Sequence, residues 1–150
     1  MLQRSTLALF VFLAGMAQPA LAGPYGDDMA KCLVASTTAD DKTALVQWMF
    51  ATSTLHPAVK AMSTVNDSQR QVLNKRFADI AQTLLTKTCL TQSRDAIRYE
   101  GLGTIEASFT ILGQVAGRAL FADPAVAAGM KDLEKYFDAK RVQEVLGVKQ

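Results

Sequence analysis

The sequence predicts an all-α protein, a single compact bundle of about five to seven helices closed by one disulfide. Three observations predict it. Apolar residues recur at helical spacing in one segment after another, as at Leu73, Phe77, Ile80 and Leu84. No stretch keeps the apolar and polar alternation of a strand, and the β-branched residues are scattered. Capping and stop residues fall at the ends of the periodic segments.

The first 22 residues read as a secretory signal. Arg4 gives the positive start, Leu7 to Ala17 is an apolar run too short to span a bilayer, and Ala20-Leu21-Ala22 offers the small residues a signal peptidase accepts. Cleavage is expected after Ala22, giving a mature domain over 23–150 with no membrane span. No cysteine stands at that junction to take a lipid anchor.

Asp27 and Asp28 open the first short helix through Met29, Cys32, Leu33 and Val34, with acid at the positive end of the dipole. Ser36-Thr37-Thr38 breaks it. Thr38 followed by Asp41 resembles a capping box and starts a helix from Ala39 to Leu55. There Leu45, Trp48, Met49 and Thr52 form one stripe that Val46 and Phe50 widen, so burial on more than one side is expected and the bulky trio 48–50 is read as core. His56-Pro57 halts it, and a short helix follows from Pro57 to Met62.

Asn66, Asp67 and Ser68 are N-cap candidates for the longest run, with Val72 and Leu85 flanking its stripe and Cys89 at its end. Ser93 to Glu100 forms another helix, stopped by Gly101, and Gly103-Thr104 starts the next, with Phe109, Leu112, Val115, Ala116 and Leu120 as its apolar face. Asp123-Pro124 closes that helix and caps its successor. The last helices are expected to turn Val126, Met130, Leu133 and Phe137, then Val142, Val145 and Leu146, inward, with Gly147 as the final C-cap.

Composition excludes more than it assigns. The chain carries 16 Lys and Arg against 14 Asp and Glu; loss of Arg4 with the leader leaves 15 against 14, a balance of +1. Charge so near neutral gives no footprint for nucleic acid. The two cysteines, Cys32 and Cys89, lie in the exported part, where an oxidising compartment favours a structural disulfide. Without a Cys-x-x-Cys a redox-active pair is not indicated, and two thiols with the one histidine make a poor metal site. No metal and no cofactor is expected.

Three features are candidates for function. Gly113 and Gly117 stand four apart on one helix and make a flat strip; close packing of a neighbouring helix is the first reading, with a homodimer face or a ligand gap as alternatives. His56 is the default acid or base, read more simply as an imidazole at a helix C-terminus beside free carbonyls. Arg98, Tyr99 and Glu100 precede a glycine turn and form a candidate polar site for a small ligand. Nothing corresponds to a phosphate loop, a zinc helix or a nucleophile elbow.

The stretch Cys32-Leu33-Val34-Ala35-Ser36-Thr37-Thr38-Ala39-Asp40-Asp41, continued by Leu45-Val46-Gln47-Trp48-Met49-Phe50 and His56-Pro57, resembles a family of small uncharacterised exported proteins of Gram-negative bacteria. The resemblance implies the periplasm and brings no activity or catalytic residue. The reading therefore leans away from an enzyme. It expects a binding or interaction module for a protein or small-molecule ligand; an immunity protein against an envelope-targeting toxin is the alternative, and a small hydrolase built around His56 a second.

Overall fold

The computed structural model describes residues 23–147, so the expected export leader lies outside the described residues. Eight α-helices form among them: α1 (Pro24–Ser36), α2 (Ala39–Ser53), α3 (Pro57–Lys60), α4 (Asp67–Thr83), α5 (Leu90–Glu100), α6 (Gly103–Phe121), α7 (Pro124–Lys131) and α8 (Ala139–Leu146). A π-helical turn, Leu84–Thr88, joins α4 to α5, and a 3-10 turn, Asp132–Tyr136, follows α7.

Local chemistry sets most boundaries. The Thr38 hydroxyl accepts from the Asp41 N–H at 3.1 Å while Asp41 Oδ2 accepts from the Thr38 N–H at 3.0 Å, which completes the expected capping box. Asn66 and Gln69 repeat that exchange at α4, both bonds at 2.9 Å. Asp123 Oδ1 accepts from Ala125 and Val126 N–H groups behind Pro124. Gly101, at φ +89°, and Gly147, at φ +65°, end α5 and α8 in backbone that favours glycine. The first helix starts at Pro24, three residues before Asp27, because proline occupies its first position and needs no N–H partner there.

Five helices, α1, α2, α4, α5 and α6, build the bundle. Helix α6 runs through the middle, with α1, α2 and α5 packed on it, while α4 closes over α2. The core is Met29 and Leu33 from α1, Leu45 from α2, Leu84 and Cys89 around the π turn, Ala96 from α5, and Leu112 and Ala116 from α6. The α4 stripe meets expectation: Leu84 is buried, Leu73, Phe77 and Ile80 are half-buried, and Val72 is exposed.

Three expectations of burial are corrected. On α6 the buried line is Thr104, Ser108, Leu112 and Ala116, so Phe109 and Val115 flank it and Leu120 faces solvent. Two short hydroxyl residues in that line let α1 come close. On α2, Trp48 is half-buried but Met49 is exposed and Phe50 is 60% exposed, because the opposite face of the helix has no layer behind it. The largest correction lies at the C-terminal end. Val126 is half-buried, whereas Met130, Leu133, Phe137, Val142, Val145 and Leu146 are all exposed. Asp123-Pro124 directs α7 off the end of α6, and α7 packs chiefly on the 3-10 turn, so these faces have the right period and no core to enter.

Candidate functional site

Each candidate is placed by a different helix pair. Cys32, in the third turn of α1, is bonded to Cys89 just past the π turn, with their Cα atoms 5.9 Å apart. The bond therefore fastens α1 to the far end of α4, as expected. Cys89 is fully buried, and Ser36 Oγ lies 3.9 Å from Cys32 Sγ and 3.8 Å from Cys89 Sγ. A sulfur hidden in the core is poorly placed to meet a reductant, which fits a structural rather than a catalytic bridge.

Arg98, Tyr99 and Glu100 do come together with something, but that something is α1. Glu100 is the last residue of α5 and turns its carboxylate onto the start of α1: Oε1 accepts from Tyr25 N–H and Oε2 from Gly26 N–H, each at 2.9 Å. The side chain satisfies two of the N–H groups that no helix can satisfy from within, and puts negative charge at the positive dipole end. The Tyr25 and Tyr99 rings stack at 4.6 Å between centroids, and the Arg98 guanidinium sits 5.5 Å from the centre of the Tyr99 ring. Sequence reasoning missed this long-range cap. Its signal was Gly23-Pro24, a helix start with no capping side chain of its own.

Gly113 and Gly117 are not where two helices touch. A Cβ placed on either would meet nothing within 4 Å beyond the helix itself, so close packing inside the domain is not their use. Gly113 instead forms part of the floor of a groove of about 520 Å³, lined also by Leu45, Trp48, Phe77, Phe109 and Gln114. Aromatic rings make its wall. Trp48 and Phe77 stack at 4.5 Å, and Phe77 meets Phe109 edge to face at 6.2 Å. The indole N–H of Trp48 donates to Asn74 Oδ1 at 2.9 Å, which fixes the ring against α4.

His56 is exposed and serves as the N-cap of α3, its Nδ1 accepting from Ala58 N–H at 3.2 Å. The expected role at the C-terminus of the preceding helix is corrected: Pro57 begins a new turn at once, so the imidazole caps forward. That bond is the sole side-chain hydrogen bond it makes among the described residues, and no serine or carboxylate joins it in a relay. Among the described residues no group of three His, Cys, Asp or Glu side chains is placed to hold a metal ion, and no helix is long and apolar enough to cross a membrane.

No family model, no curated protein and no solved structure matches this chain.

Proposed function

We propose that the chain is exported to the periplasm and works there as a non-enzymatic helical module that receives a protein or small-molecule partner in the groove between α2, α4 and α6. The observation that carries this reading is the open floor at Gly113 beneath the Trp48, Phe77 and Phe109 rings. A glycine inside a helix costs up to about 1 kcal/mol relative to alanine, and no neighbouring helix uses the space it leaves. Apolar walls with a few polar groups in the lining, here Glu106, Thr110 and Gln114, suit a largely apolar ligand or the anchoring side chains of a partner helix. The leader-like start and the buried disulfide support an oxidising compartment.

Trp48 is the single tryptophan of the chain, so its emission reports on the groove. Titration with the apolar probe anilinonaphthalene sulfonate is expected to saturate and to change Trp48 emission. Gly113→Phe, whose Cβ has no other atom within 4 Å, puts a ring into the groove and should weaken that binding at least about tenfold, or roughly 1.4 kcal/mol, with helix content and melting temperature kept. Probe affinity unchanged in Gly113→Phe would overturn the reading.

A further inference from the structure

Gly23 stands directly against the Glu100 carboxylate. A Cβ on Gly23 would fall inside the van der Waals envelope of Glu100 Oε1, so any larger residue there would push the Glu100 carboxylate aside. The Gly23 carbonyl is held, accepting from Asp27 N–H at 2.9 Å, whereas its nitrogen faces the junction at which the leader is expected to be cut. In any amino acid the nitrogen, the Cβ and the α-hydrogen sit 120° apart around the Cα–C bond. Part of a rotation about that bond therefore brings a freed Gly23 nitrogen towards the Cβ position and within hydrogen-bond reach of Glu100 Oε1, without disturbing the carbonyl.

We infer that Glu100 is a docking site for the protein's own new amino terminus. Cleavage after Ala22 turns the amide of Gly23 into an ammonium, which then pairs with a carboxylate already held in place by Tyr25 and Gly26. This rests on the export reading above. In the uncut chain the nitrogen is an amide and carries no charge. The bundle is thus completed by processing: the same carboxylate that caps α1 gains a cation only after the leader is gone, and ties the mature end to α5. Two charges brought together in a half-buried notch interact more strongly than on an open surface.

The charged and titratable side chains of the three elements that meet here are Tyr25, Asp27, Asp28 and Lys31 on α1, Arg94, Asp95, Arg98, Tyr99 and Glu100 on α5, and Glu106 and Arg118 on α6. Glu100 alone among them bonds the start of α1. Pairing raises the α-amino pKa of the folded chain above its ordinary value of about 7.7–8.0. The added stability is then complete below that value and is lost as pH climbs through the raised one.

The test compares the exported chain at its natural junction with one in which Ala-Ser is inserted between Ala22 and Gly23, each N-terminus being read by mass spectrometry. At pH 7 the inserted form is expected to melt about 2–4 °C lower, and the gap to close as pH rises above the amino pKa. In a Glu100→Gln background the two N-termini should melt alike, and the Gly23 amino pKa, read by NMR, should return to its ordinary value. Equal melting of the two N-termini in the wild-type background, or an unraised amino pKa, would overturn the docking. Should the natural product not begin at Gly23, the export junction and the docking fall together; a Gly23 terminus with no melting difference defeats the docking alone.

Discussion

The Ser108 hydroxyl donates to the Gly26 carbonyl across 82 positions of sequence, at 3.2 Å, from a side chain that is 0% exposed. It ties the middle helix to the first turn of α1. Ser93, also buried, makes no such bond: its hydroxyl has no hydrogen-bond partner. Ser108→Ala should destabilise the fold by about 0.5–1.5 kcal/mol, while Ser93→Ala, which removes an unsatisfied group, should be neutral or stabilising. Paired denaturant melts check both, and equal losses would contradict the contrast.

The disulfide closes a loop between positions 57 residues apart. In the chain-entropy picture this contributes roughly 4 kcal/mol, a sizeable share of a typical total of about 5–15 kcal/mol. Cys32→Ser or Cys89→Ser should lower the melting temperature sharply, and the native protein should show near-zero free thiol on titration.

Gly101 sits at φ +89° and ψ 175°, a region that side chains with a Cβ avoid. The residue separates the Glu100 carboxylate from the start of α6, so strain there reaches both. Gly101→Ala should cost about 1–3 kcal/mol by equilibrium unfolding. An added methyl would meet no neighbouring atom, so backbone strain is the whole effect.

Burial separates the bundle from the chain that follows it. Leu112 is 1% exposed and Leu146 is 69% exposed. Leu112→Ala should destabilise by about 2–5 kcal/mol. Leu146→Ala should stay within about 0.5 kcal/mol of wild type. Chemical denaturation of the two variants decides this, and a large loss at Leu146 would show that the α8 face is covered.

The Arg70 guanidinium hydrogen-bonds Asp67 at the start of α4 and holds its carboxyl below the ordinary value of 3.8, the bond being the main cause and the positive charge the second. A depressed carboxylate lends its stability above the unfolded pKa and loses it as pH falls through the folded one. Asp67→Asn should therefore lower stability slightly above about pH 4 and leave it unchanged in stronger acid, so that the acid limb of the stability profile is flattened, as acid titration of unfolding would show. Because Asp67 is open to solvent, the effect is small.

Local signals in the sequence were read well and long-range ones were not. Thr38 with Asp41, Asn66, Gly101 and Asp123-Pro124 all act within a turn of themselves, and each ends or starts a helix as expected. The Cys32 and Cys89 pairing was legible because two thiols leave a single choice. Glu100 bonding Gly26, Trp48 bonding Asn74 and Ser108 bonding Gly26 depend on how helices cross, which periodicity does not encode. The same limit explains the exposed residues of α7 and α8: an apolar stripe reports which side of a helix is greasy, not whether a neighbour waits there. Gly113 and Gly117 were recognised as a place where bulk is missing, but which helix would fill the gap, or that none does, was not written in their spacing.

The wide turn at Leu84–Thr88 has a further consequence. Such a turn holds one residue more than an ordinary helical turn, and each residue advances a helix by about 100°. The widening absorbs that surplus: in a regular α-helix the extra residue would swing everything after it by that angle, aiming Cys89 away from Cys32 and Ala96 away from α1. The phase of the second half of the molecule thus depends on the wide turn, and removing one residue there should leave an ordinary α turn with the later faces kept, whereas a one-residue deletion elsewhere in α4 should turn them away.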